Sequence, residues 1–160
     1  MGAGSSGGTL AAGGTSRLIL ATGIVNVWQY DAATLAAEHA TLTSEFPGRV
    51  LLGIGIGHPE ATSEYAKPLA TMREFFDGLD AAEPTVLREE RCAAALGPKM
   101  LELAAERTAG AHPYFVPVEH TAFAREKLGD GKLLCVEQAV VLGDRALQLL
   151  DGLLVGVLLV

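Results

Sequence analysis

Short apolar runs alternate with helical stretches five times along this chain, and that rhythm constrains the fold more than any other feature. Leu18-Ile19-Leu20-Ala21-Thr22-Gly23-Ile24-Val25 is the first run, closed by Asn26. Such runs read as strands buried on both faces. Asp31 is a good N-cap, and the Ala- and Leu-rich stretch from Ala32 to Glu45 predicts a helix that Pro47-Gly48 stops. Leu35, His39, Leu42 and Phe46 lie at helical spacing within it. Val50 to Ile56 is the second strand. Pro68 opens the second helix, with Leu69, Met72, Phe76 and Leu79 along one face and Arg73, Glu74 and Asp77 mostly along the other.

The same alternation continues to the C-terminus. Ala81 to Arg91, with Pro84, reads as a polar linker. Cys92 to Leu96 is the third strand, and Gly97-Pro98 opens a helix from Lys99 to Thr108 that Gly110 ends as a C′ residue. Pro113 to Val116 is the fourth strand. Glu119 to Leu128 is a helix stopped by Gly129, Leu133 to Leu142 holds the fifth strand, and Asp144 caps a last helix. Strand–helix alternation implies a parallel sheet with right-handed crossovers. Part of a (β/α)8 barrel and an open doubly wound sheet both satisfy it. In either, ligands bind beyond the C-terminal ends of the strands. Here those ends are Gly23 to Trp28, Gly55 to His58, Leu96 to Lys99 and the turn around Pro117.

The bulk composition fits a single globular unit. The 160 residues are 49% hydrophobic and 19% charged, with a net charge of −7. A domain of this size hides about 70% of its extended-chain surface. No basic stripe is present, which argues against a nucleic-acid partner. Residues 1–15 are a flexible Gly-rich lead-in, 16–150 the folded domain and 151–160 an apolar tail. The tail is too short for a bilayer, which takes ~20 residues, so no membrane partner is expected. Cys92 and Cys135 lie in apolar stretches and lack the spacing of a disulfide framework or zinc site. They read as buried thiols of a reducing cytoplasm.

Chemistry concentrates at the strand ends. Gly53-x-Gly55-x-Gly57 lacks the spacing of a dinucleotide fingerprint. It has two readings: glycine lets a strand pack and turn closely, or a flat ring lies against bare backbone. Gly97-Pro98-Lys99 is either a tidy helix start, the commoner case, or an anion site at a helix N-terminus with Lys99 adding charge. His58 and His112 are the histidines best placed to meet a ligand, and neither has a second ligand at metal spacing, so no metal is expected. His39 reads as packing within a helix, and His120 as an exposed residue at a helix start. Trp28 either covers an aromatic cofactor or is a structural core residue. Glu60 and Glu64 lie near the ligand face with nothing to mark them as an acid/base pair. A P-loop is absent from the sequence.

These segments together resemble a known family. Thr22-Gly23-Ile24-Val25-Asn26-Val27-Trp28, Ala36-Ala37-Glu38, Phe46 through His58, Lys67-Pro68-Leu69-Ala70-Thr71-Met72-Arg73-Glu74-Phe75 and Ala95 through Ala104 look like the luciferase-like superfamily. Ala109-Gly110-Ala111-His112-Pro113-Tyr114 with Glu119-His120-Thr121 is similar to an actinobacterial branch described as oxidoreductases dependent on the deazaflavin coenzyme F420. The resemblance runs from about Thr15 to Leu142. It implies a (β/α)8 barrel with FMN or the deazaflavin at its C-terminal face. It implies that Gly23-Ile24 bends the strand under the ring, often through a cis peptide, and that Asn26 contacts the ring edge. It puts Gly97, Pro98, Lys99 and Met100 at a phosphate-binding turn. Apart from the resemblance, Gly55 is a cofactor contact in the bare-backbone reading of the glycine run, and His58, at a strand end, is a candidate for a catalytic group.

The same resemblance predicts a partial barrel of about five parallel βα units, strands three to seven, in a truncated chain. Three expectations follow. One is an F420-dependent oxidoreductase moving hydride between reduced deazaflavin and a small organic substrate. A second is an FMN-dependent monooxygenase. The third is an inactive remnant, or a module that completes its barrel by dimerising, since an unclosed barrel leaves strand edges to cover and favours a homo-oligomer.

Overall fold

The computed structural model describes residues 13–58, 65–139 and 156–159. Its centre is β3 (Val50–Gly55), flanked on one side by β1 (Leu20–Ala21) and β2 (Val25–Asn26) and on the other by β4 (Arg91–Ala93). Next come β5 (Gly110–Ala111) and β6 (Leu133–Leu134), and every pairing in this sheet is parallel. The chain runs on from β6 into β7 (Val136–Ala139), where Glu137 bridges in parallel to Tyr114. β8 (Gly156–Leu159), from the apolar end of the chain, pairs antiparallel with β7.

Among the described residues four α-helices connect the strands: α1 (Ala32–Glu45), α2 (Pro68–Ala81), α3 (Pro98–Arg107) and α4 (Val118–Leu128). Asp31 caps α1 by accepting the Thr34 N–H at 2.9 Å, which holds its carboxyl below the usual carboxylate range. All four helices pack on one face of the sheet. Leu52, Ile54 and Ile56 alternate along β3 toward that face and meet Met72, Phe76 and Leu79 of α2, Leu101 and Leu103 of α3, and Leu35 of α1 in one core. The opposite face carries Leu51, Cys92 and Cys135 as a separate buried cluster. A doubly wound sheet needs helices on both faces. Helices on one face make this a half of a (β/α)8 barrel, with Leu51, Cys92 and Cys135 on its inner side.

Two glycines show how tightly the sheet is built. A Cβ on Gly53 would sit 2.1 Å from the Thr22 carbonyl oxygen, and one on Gly110 would sit 1.8 Å from that of Leu133. Gly110 is therefore a strand residue at a close backbone approach, not the helix-ending C′ residue expected from sequence; α3 closes instead at Thr108, whose hydroxyl donates to the carbonyls of Ala104 and Gly110. The fourth strand accordingly falls at Gly110–Ala111, ahead of the expected Pro113 to Val116, where Pro113 cannot donate to a ladder and Phe115 has φ +51°. β4 starts at Arg91 and leaves the ladder after Ala93, short of Leu96.

Arg91 is also fully buried, which the polar-linker reading did not foresee. Its guanidinium pairs with Asp80 of α2 and donates through Nε to the Arg107 carbonyl at 3.0 Å. Arg107 reaches Asp77 at 2.7 Å and Asp80 at 2.8 Å, and both guanidiniums lie over the Phe76 ring. Burial pushes the Asp80 carboxyl up, but the two guanidiniums outweigh it and hold the group below its ordinary range. Among the described residues, no helix is long and apolar enough to cross a membrane. The helix expected after Asp144 and the lead-in before Gly13 lie outside the described residues.

Candidate functional site

The first strand is split, and the split builds one wall of a site. Thr22 takes over the ladder with its side chain: its hydroxyl donates to the Gly53 carbonyl at 2.9 Å and accepts the Gly53 N–H at 2.8 Å. The backbone then bends through Gly23-Ile24 before β2 resumes pairing. The bend is where the resemblance placed it, but it is made with trans peptides; among the described residues the cis bond is Glu83–Pro84.

Beyond the C-terminal strand ends lies a cavity of about 590 Å³. Small-molecule and cofactor sites span ~300–1,000 Å³. Gly23 and Ile24 line one side; Ile56, Gly57 and His58 follow β3; Ala94 to Gly97 follow β4, with Met100 from the first turn of α3; His112, Tyr114 and Glu137 close the far side. A shallow hollow of about 620 Å³ at the opposite end is lined by Arg125 of α4 and by Asp130 and Lys132 in the loop before β6. Barrels place their chemistry at the C-terminal end, so the first cavity is the candidate site.

The glycines of the run sit at close approaches. A Cβ on Gly55 would meet Ala94 Cβ at 2.9 Å and Ile24 Cδ1 at 3.0 Å, so Gly55 sits behind the wall and lets it close up. Gly57 has φ +68° and lines the cavity itself, with Asn26 Nδ2 2.9 Å from where a Cβ would fall. The Asn26 amide oxygen accepts the Trp28 N–H at 3.1 Å, and Trp28 donates from Nε1 to the Ile56 carbonyl at 3.0 Å. Asn26 and Trp28 thus pin the turn after β2 against the end of β3.

Of the residues singled out by sequence, Gly23, Ile24, His58, Gly97 and Met100 line the cavity; Asn26, Gly55, Pro98 and Lys99 do not. Pro98 and Lys99 are exposed on the same first turn of α3, whose N-cap is Gly97. Glu60 and Glu64 lie outside the described residues. His58 is exposed and stands edge-on to Tyr114, ring centroids 6.3 Å apart. His120 is half-buried rather than exposed: its Nε2 bonds the Leu96 carbonyl at 2.8 Å, tying α4 to the cavity wall. His39 is buried in α1 beside Thr43, and burial lowers its pKa.

Sequence reading named His112 but missed its partner. His112 is 6% exposed, bonds the Cys135 carbonyl through Nδ1 at 2.8 Å, and places Nε2 3.7 Å from a Glu137 oxygen. The signal was the period-two alternation of Leu133, Cys135 and Glu137, which sets an acidic residue on the inner face of an apolar strand. Among the described residues, no group of three or more His, Cys, Asp or Glu is placed to hold a metal.

The residues present fit a flat heteroaromatic ring with an anionic tail. The walls beside Gly23, Gly57 and Ala94 are nearly bare backbone, so a planar group can approach closely. The N-terminus of α3 opens at the cavity and carries Lys99, a pairing suited to a phosphate.

A parallel half-barrel with a glycine-walled cavity at its C-terminal strand ends has the architecture of (β/α)8 enzymes. The chain belongs to the luciferase-like monooxygenase family, whose family model matches residues 8–91. Solved structures share the fold, among them the following three. An F420-dependent secondary alcohol dehydrogenase in complex with an F420-acetone adduct is 16% identical at TM-score 0.61, covering 83% of this chain and 53% of that one. The coenzyme F420 dependent tetrahydromethanopterin reductase from Methanopyrus kandleri is 21% identical at TM-score 0.59, covering 79% and 48%. Apo-MsnO8 is 18% identical at TM-score 0.58, covering 82% and 45%. The chain therefore spans about half the length of these structures. No curated protein matches it.

Proposed function

We propose that this chain carries the cofactor site of an F420-dependent oxidoreductase that moves hydride between the reduced deazaflavin and a small organic substrate. The cavity between Gly23-Ile24, Gly57 and Gly97-Met100 carries this reading. Two of the structures that share the fold are described as F420-dependent, which supports the deazaflavin over other rings. When bound, the deazaflavin supplies hydride chemistry; the protein binds and orients it. Gly23, Ile24 and Gly57 would face the ring, with Gly55 behind them, and Asn26 would fix the turn that shapes that wall. Gly97, Pro98, Lys99 and Met100 would receive the phosphate. His58 would stand at the substrate side as the candidate catalytic group.

FMN is the alternative ligand, favoured by the family's description as monooxygenases. The partners proposed are a small-molecule substrate and a second copy of the chain, with neither nucleic acid nor membrane. β1 and β2 pair only with β3 among the described residues, and Leu18 and Ile19 nearby are half-exposed, which favours covering that edge by association. Two free buried thiols fit a cytoplasmic setting.

The test is a fluorescence titration of the monodisperse chain with oxidised F420 and, in parallel, FMN. Saturable micromolar binding that weakens in Lys99→Ala and Asn26→Ala is expected, with F420 preferred. Preference for FMN moves the chain to the monooxygenase reading. No binding of either by a folded chain overturns the proposed cofactor site.

A further inference from the structure

The inner wall of the cavity holds a proton-handling pair. His112 and Glu137 stand on adjacent strands, and the backbone fixes both. The His112 N–H donates to the Ala93 carbonyl at 2.8 Å, and the Glu137 N–H donates to the Pro113 carbonyl at 3.0 Å. The His112 ring is buried and its orientation is set by one bond, Nδ1–H to the Cys135 carbonyl. A carbonyl only accepts, so this bond places a proton on Nδ1 and leaves Nε2 as the working nitrogen. That nitrogen lies 3.7 Å from Glu137 Oε2, and both side chains line the cavity. A main-chain acceptor behind Nδ1 and a carboxylate beside Nε2 leave one ring nitrogen facing the cavity, where it can give or take a proton. Among the described residues it stands apart from the helix core, on the other face of the sheet, and from the Arg91–Asp80–Arg107 network, at the other end of β4.

We propose that His112 is a catalytic acid/base of this cavity and Glu137 its positioning residue. The inference rests on the hydride-transfer reading above and narrows the substrate to a class in which a heteroatom gains or loses a proton, a ketone or aldehyde and its alcohol. As hydride adds to the carbonyl carbon, the C=O π pair moves to oxygen, and His112 Nε2–H gives that oxygen its proton. The product is the alcohol and a neutral imidazole. The hydride comes from the reduced deazaflavin, which is left oxidised and releases its remaining ring proton to solvent. Solvent returns a proton to His112 Nε2, beside the Glu137 carboxylate, for the next turnover. Alcohol oxidation runs the same steps in reverse, with Nε2 as base.

The experiment combines two readouts on the full chain. In the apo protein, 15N NMR of the imidazole is expected to show neutral His112 protonated on Nδ1; protonation on Nε2 alone overturns the proposal. Turnover of a panel of ketones with reduced F420 is then compared among wild type, His112→Gln, His112→Asn and Glu137→Gln. General acid–base catalysis contributes ~10²–10⁴-fold, so His112→Gln is expected to lower kcat by about 100-fold or more while F420 affinity, read by fluorescence, stays near wild type. Glu137→Gln, at a partly exposed position, gives a smaller drop and guards against a folding defect in the His112 variants. A His112→Gln chain that binds F420 and reduces ketones at the wild-type rate overturns the pair alone. A wild-type chain that binds F420 but reduces no ketone overturns the substrate class. A wild-type chain that binds no F420 overturns the functional reading and the pair with it.

Discussion

Replacing Asp80 by Asn tests the largest buried charge in the molecule. Arg91 has no exposed side-chain surface, and Asp80 is its carboxylate partner. Removing one member of a buried pair costs about 3–5 kcal/mol, because the other charge stays buried without compensation. Three features place Asp80→Asn near the low end. Asp80 is 35% exposed, so water already screens it; Arg91 keeps its Nε bond to the Arg107 carbonyl; and Arg107 keeps Asp77. The expected loss is about 3 kcal/mol, which for a domain of this size lowers Tm by roughly 6–12 °C. The assay is urea unfolding followed by Trp28 fluorescence, with a thermal melt in parallel. The sign with pH follows from the direction of the Asp80 shift. Its folded pKa lies below the ordinary 3.8, so its stabilisation is complete above that value and is lost as pH falls toward the folded pKa. Wild type and variant should therefore differ by a constant amount at neutral pH and converge below about pH 4. The double variant Asp80→Asn/Arg91→Met should recover much of the loss, since an apolar side chain leaves no unpaired charge. A loss below about 0.5 kcal/mol for Asp80→Asn, the scale of an exposed pair, would refute the reasoning.

Two further predictions concern the inner face. Gly110→Ala puts a Cβ 1.8 Å from the Leu133 carbonyl oxygen, backbone that cannot swing aside. A loss of about 3 kcal/mol or failure to fold is expected, checked by urea unfolding, whereas Gly129→Ala fails only through its positive φ, because nothing lies within 4 Å of it. Cys92 and Cys135 are 2% and 3% exposed, and the Cys92 thiol is pushed up by its hydrogen bond to Cys135 and by burial. Both should resist a thiol reagent in the folded chain and react as two equivalents in denaturant; fast reaction without denaturant would mean that the inner face is open.

How much of this was legible beforehand depends on which interactions are local. The rhythm of apolar runs and helices, the Asp31 cap, Pro68 and Pro98 at helix starts, and the stop at Gly129 are matters of neighbours a few residues apart, and the sequence carried them. So did the family, through segments spread along the chain. What stayed hidden came from contacts between distant residues. Arg91 sits in a polar run and reads as solvent-facing until α2 and α3 bring Asp80 and Arg107 to it. Gly110 follows a helix and reads as its cap until Leu133, 23 positions on, packs against it. Thr22 has no local sign that it will replace ladder bonds to Gly53.

The sequence by itself determined the alternation of parallel strands and helices as far as β6, because hydrophobic period and turn chemistry are local properties. Only the tertiary structure decided between a half-barrel and a doubly wound sheet, since that depends on which face all four helices choose. Only it put His112 opposite Glu137, because two side chains 25 positions apart meet when neighbouring parallel strands come into register.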